Sequence, residues 1–170
     1  MATVTSPGQN SIILVNKNMF IDYVDLPTIP EHLLETTNDI IARPPLGVRS
    51  TYGIVKTTYD VQRRKINDNL QEWLQSICEF QVNAQYLLLN SAVPIHKDPP
   101  FRPQAYNYIL DPGGLDVATN VYSEDKSTIL KSLVIPAKTW YCLDTGLWHG
   151  VTGINPNSWR VLVTIDIDKK

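Results

Sequence analysis

The 170 residues, 43% of them hydrophobic, suffice for one core and predict a single globular unit. A formal charge of −2 and a pI of about 5.9 offer no global attraction to a phosphate backbone or an anionic membrane, so neither nucleic acid nor membrane is the expected partner. Cys78 and Cys142 form no CxxC pair, the start "MATVTSPGQN" lacks a signal-peptide pattern, and no apolar run approaches the ~20 residues of a membrane helix; together these predict a cytoplasmic protein with reduced thiols.

In chain order, "SIILVN" and "MFIDYV" read as two short strands. A helix over "IPEHLLETTNDII" follows, with Pro30 in its first turn, His32 facing solvent and Pro44 enforcing its end. "ARPPLGVRSTYGIV" has no period and reads as a connection; as a lid, it would carry Arg43 or Arg49 to a substrate. "RRK" at 63–65 reads as a solvated turn opening a second helix, whose apolar positions Leu70, Trp73, Leu74 and Ile77 follow Ile66 at offsets of four, seven, eight and eleven, one helical face.

After residue 83 the pattern changes to short β-prone runs: "AQYLLLN", "AVPIHK", "QAYNYIL", "DVATNVYS", "TILKSLVI", "KTWYCLD", "LWHGVT" and "SWRVLVTIDI". Eight strands joined mostly by tight turns predict a mainly β chain, a jelly roll or related sandwich, because a parallel sheet needs helical crossovers. Residues 1–83 would then be support, with two helices on one outer face, and 84–168 the core.

Strand alternation sends His96 and Asp98 to the same face, ~7 Å apart along the backbone. In a jelly roll the second and seventh strands are neighbours, which brings His149 to the same place. Two imidazoles and one carboxylate on one side of an ion suit non-haem Fe(II), and Gly150 is expected to leave space beside it. Arg160 stands in a nearly continuous apolar strand; it either faces outward at a sheet edge or needs an acidic partner, a protein carboxylate or an acidic cosubstrate.

The order HxD (His96, Asp98), distal histidine (His149) and arginine (Arg160) resembles the Fe(II)- and 2-oxoglutarate-dependent dioxygenase superfamily, with its double-stranded β-helix. "HKDPPFRPQAYNYIL" is similar to the small prolyl-hydroxylase-like and aspartyl-hydroxylase-like oxygenases found among phage proteins, which would make a host cytoplasm the location. The resemblance implies that His96, Asp98 and His149 ligate Fe(II) and that Arg160 fixes the far carboxylate of 2-oxoglutarate, assisted by Tyr86 or Asn107. It further implies that O2 is consumed, that succinate and CO2 are released, and that an unactivated C–H bond is hydroxylated, on a protein or peptide side chain or an amino acid. Arg102 is a candidate for the mouth of the site, and Trp148 is expected to pack away from the iron into the opposite layer. Two other classes fit the same strands: a cupin-type metalloenzyme independent of 2-oxoglutarate, and a non-catalytic jelly-roll binding or structural module.

Overall fold

Proline, glycine, asparagine and aspartate turns cut the second half of the chain into short runs that can only pair with near neighbours or fold across. The computed structural model describes residues 20–46, 61–100 and 103–167. Its strands are β1 (Ile21–Tyr23), β2 (Val61–Lys65), β3 (Asn83–Leu89), β4 (Val93–His96), β5 (Gln104–Asp111), β6 (Ala118–Tyr122), β7 (Ile129–Val134), β8 (Trp140–Asp144), β9 (His149–Thr152) and β10 (Arg160–Ile167). Every pairing is antiparallel, in a six-stranded sheet of order β1-β8-β5-β10-β3-β2 and a four-stranded sheet of order β4-β9-β6-β7. The runs expected from residue 84 onward correspond to β3 through β10, and "MFIDYV" contains β1; "SIILVN" lies outside the described residues.

The N-terminal half departs from expectation twice. The helix expected over 29–41 is two pieces, a 3-10 turn at Glu31–Leu33 and helix α1 at Thr37–Ala42. Leu34 adopts an extended conformation, and Thr36 then caps α1 by accepting from the Asp39 amide at 3.2 Å, so a new start is built in mid-segment. The "RRK" triplet does not open a helix: it belongs to β2, where Arg64 is buried opposite Tyr86. Helix α2 (Asp68–Ile77) begins instead at Asn67, whose side chain accepts from the Leu70 amide at 2.7 Å.

The helices cover the outer face of the larger sheet. Ile40, Leu70 and Leu74 share a buried cluster with Tyr86, Leu88, Tyr108, Trp140, Val161 and Val163. Between the sheets lies a second cluster that includes Ile109, Val121, Tyr141, Leu143 and Leu162. Alternation along β10 therefore divides it into Val161, Val163 and Ile165 on the helix side and Arg160, Leu162, Thr164 and Asp166 on the inner side. Among the described residues, no helix is long and apolar enough to cross a membrane.

Cys78 and Cys142 are free and buried on the helix side, where loss of solvent pushes both thiols up to about 11. Neither is expected to react with a maleimide near pH 8 in the folded protein. Mass spectrometry before and after denaturation checks this: no adduct natively, two adducts when unfolded.

Candidate metal centre

β4 and β9 are neighbours at one edge of the smaller sheet, and His96 pairs directly with His149. Asp98 follows two residues on, its amide donating to Thr145 O at 2.9 Å, which ties the loop after β4 to the end of β8. One ligand atom from each of His96, Asp98 and His149 lies within 4.8 Å of the others. The imidazole centroids are 4.2 Å apart, tilted by 53°, and His96 Nε2 is 3.4 Å from Asp98 Oδ1.

Backbone contacts orient both rings. His96 Nδ1 lies 2.8 Å from Pro94 O and His149 Nδ1 lies 2.8 Å from Leu147 O. A carbonyl oxygen only accepts, so each neutral ring carries its proton on Nδ1 and keeps its lone pair on Nε2. Metal-ligating histidines are commonly held this way, the far ring nitrogen bonded to a carbonyl, and here two nitrogen donors and a carboxylate are left to converge on one ion.

Arg160 is fully buried on the inner side of β10. One guanidinium nitrogen, NH2, donates across the sheets to Thr119 Oγ1 at 3.0 Å; Nε and NH1 are buried and have no partner among the described residues. Thr119 sits two residues, about 7 Å along β6, from Val121, which pairs with His149, so the arginine's anchor shares the inner face with the residue opposite one proposed ligand. A guanidinium is charged at any physiological pH, and two orphaned donors leave a place for an anion. The hydroxyl assisting Arg160 is therefore Thr119, which has no local sequence signature because the contact is made between sheets.

The two helpers expected for Arg160 are elsewhere. Tyr86 is on the helix side of β3, where its hydroxyl donates to Glu35 Oε2 at 2.9 Å. Asn107 is on the inner side, but it pairs with Thr164, four residues or about 13 Å along β10 from Arg160. Arg43 is ion-paired with Glu35 and donates to Lys65 O at 2.9 Å, which fixes it as a structural residue. Arg49 and Arg102 lie outside the described residues. His32 is exposed. Trp148 turns away from the cluster as alternation requires, but it meets two ammonium groups instead of another layer: Lys126 Nζ is 3.8 Å and Lys97 Nζ 4.9 Å from its ring centroid.

Gly150 serves packing and not the space around an ion. A Cβ there would come within 2.8 Å of Val93 O, so the missing side chain lets β4 approach β9. Gly150→Ala is expected to push these strands apart and destabilise the protein by about 1–3 kcal/mol, read as a lower urea midpoint with unchanged m-value.

No family model matches the sequence, and no curated protein matches it. Among solved structures, the chain is similar to a crystal structure of Fe(II)-HppE with the alternative substrate (S)-1-HPP, at 10% identity and a TM-score of 0.45. The similarity covers 82% of this chain and 62% of that one, so the chain spans less than two thirds of the other's length, a likeness too remote to transfer residues or chemistry.

Proposed function

We propose that the protein is an Fe(II)- and 2-oxoglutarate-dependent oxygenase of the double-stranded β-helix type, hydroxylating a C–H bond of an amino acid or a protein side chain. The overall balance is 2-oxoglutarate + O2 + R–H giving succinate + CO2 + R–OH. The fold assignment is supported by the strand orders β8-β5-β10-β3 and β4-β9-β6-β7, which interleave the eight core strands between two sheets. In this reading residues 84–168 are the catalytic core, 1–83 its support, and the whole chain one domain.

The observation that carries the proposal is the buried Arg160, with two nitrogens unpartnered among the described residues, its guanidinium anchored on Thr119, two residues along β6 from the Val121 that pairs with His149. That spacing suits a short dicarboxylic acid with one end at the ion and the other at the guanidinium. A cupin-type centre working without 2-oxoglutarate leaves those two donors unexplained, and a non-catalytic module leaves the converging imidazoles unexplained.

His96, Asp98 and His149 would hold the iron, which when bound supplies the oxygen activation that couples 2-oxoglutarate decarboxylation to hydroxylation. The chain's own contribution is placement. Pro94 O and Leu147 O hold the two rings by Nδ1–H, Thr119 aims the guanidinium, and the apolar side chains Val121, Leu162 and Ile109 limit water between the sheets.

Anaerobic reconstitution with Fe(II) and 2-oxoglutarate tests the reading. A visible charge-transfer band requiring both additions, followed by succinate release on admitting oxygen, is the expected result. Fe(II) binding with neither band nor succinate would return the protein to the cupin-type class; no metal binding at all would make it a binding module.

A further inference from the structure

Two residues that adjoin the three proposed ligands in sequence meet each other on the side away from them. Lys97 stands between His96 and Asp98, and Trp148 immediately precedes His149. Lys97 Nζ lies 4.9 Å from the centroid of the Trp148 ring, and it is ion-paired with Glu124 at 2.9 Å. A second ammonium, Lys126 Nζ, lies 3.8 Å from the same centroid. Glu124 and Lys126 belong to the turn between β6 and β7, whereas Lys97 follows β4 and Trp148 leads into β9. One half-buried indole therefore gathers three segments of chain around it.

The turn delivers Lys126 at a backbone cost. Its amide donates to Ser123 O at 2.9 Å, the Ser123 amide donates to Thr128 O at 2.8 Å, and Asp125 accepts from the Ser127 amide at 3.1 Å. Lys126 itself has a φ of 62°, a left-handed backbone uncommon for a residue with a Cβ and natural to glycine. Lysine in that position adds an ammonium that glycine lacks, and the ammonium rests on Trp148. Tyr122, at the end of β6, donates its amide to Trp148 O at 2.7 Å, which ties the indole's backbone to the same hairpin.

We propose that Trp148, Lys97 and Lys126 form a clamp that sets the spacing of the metal ligands, with all three as positioning residues. This rests on the reading of His96, Asp98 and His149 as ligands, and not on 2-oxoglutarate. The contact between Lys97 and Trp148 joins the two segments that carry the ligands, so His149 cannot move away from His96 and Asp98 without breaking it. Lys126 holds the same ring from the β6–β7 turn. An ammonium near a divalent ion repels it, so on charge alone the loss of either lysine would tighten metal binding. The clamp predicts the opposite sign.

The test titrates the full chain with Co(II), reading affinity and the visible ligand-field band, and measures the urea midpoint of the metal-free protein. Lys126→Gly, which suits the left-handed φ, and Lys97→Met are expected to keep a midpoint close to wild type while weakening Co(II) binding about threefold or more. Trp148→Leu is expected to weaken it about tenfold or more, as disturbed outer-shell partners do, and to shift the band. Trp148→Phe keeps a ring for the ammonium groups and should restore most of the affinity. In the Trp148→Leu background, replacing either lysine should have no further effect. Unchanged or tighter binding by both lysine variants, or a Trp148→Phe as weak as Trp148→Leu, overturns the clamp, while Co(II) binding by the wild type leaves the metal centre standing. A wild type that binds no Co(II) removes the metal centre and the clamp with it.

Discussion

Arg160→Met is expected to leave the protein, free of 2-oxoglutarate, at least as stable as wild type, while weakening 2-oxoglutarate binding by about 100-fold or more. The first half follows from the orphaned donors: among the described residues Nε and NH1 are buried without partners, and each such group costs about 1–3 kcal/mol. Methionine fills similar volume and has no donor to strand, the same logic by which apolar replacement of buried charges can be neutral or stabilising. The second half follows from losing hydrogen bonds to a charged ligand, about 1.5–3 kcal/mol each. Two of them, about 3–6 kcal/mol, amount to at least two decades in affinity at tenfold per 1.4 kcal/mol. Urea denaturation and titration of the Fe(II)–2-oxoglutarate band, run on the same preparation, read both effects. A variant several kcal/mol less stable with an unchanged band would make Arg160 a structural residue.

His149→Ala is expected to lower metal affinity by at least about 100-fold. Disturbing an outer-shell partner alone commonly costs 10- to 100-fold, so losing one of three ligands sets that range as a floor. His149 is the ligand of choice because it is the most buried of the three and is aimed by Leu147 O. Removing the ring from an inner position should cost about 1–3 kcal/mol in stability. The two effects separate under Co(II) or Mn(II) titration below the unfolding transition. A folded variant that binds metal like wild type would mean that the ion is not held here.

Much of the candidate site was legible because its signals are local. The two-residue spacing keeps His96 and Asp98 together even though β4 ends at His96 and Asp98 lies in the loop after it, and turn segments such as "NPN" and "DPGG" delimit strands whose count places β4 beside β9. What escaped the sequence is what tertiary pairing decides. "RRK" looks solvated in isolation, yet pairing with β3 makes it an edge strand and buries Arg64. Tyr86 has a suggestive distance from His96 along the chain, but the parity of β3 sends it to the helix side. Thr119 was invisible because its partner is 41 positions away on the facing sheet. Asn107, expected beside Arg160, lies four residues along β10 from it, because only the register of β5 against β10 sets the distance between them.

The rung joining His96 to His149 carries a consequence for the edge of the smaller sheet. β4 is four residues long, lies outermost, and meets β9 irregularly between Val93 and His96. An ion shared by both rings would bolt that fraying margin to its neighbour, as a covalent crosslink would. Amide hydrogen exchange over residues 93–98 should therefore slow on metal addition more than exchange in β6 or β7, so that loading the centre is also the last act of closing the sheet.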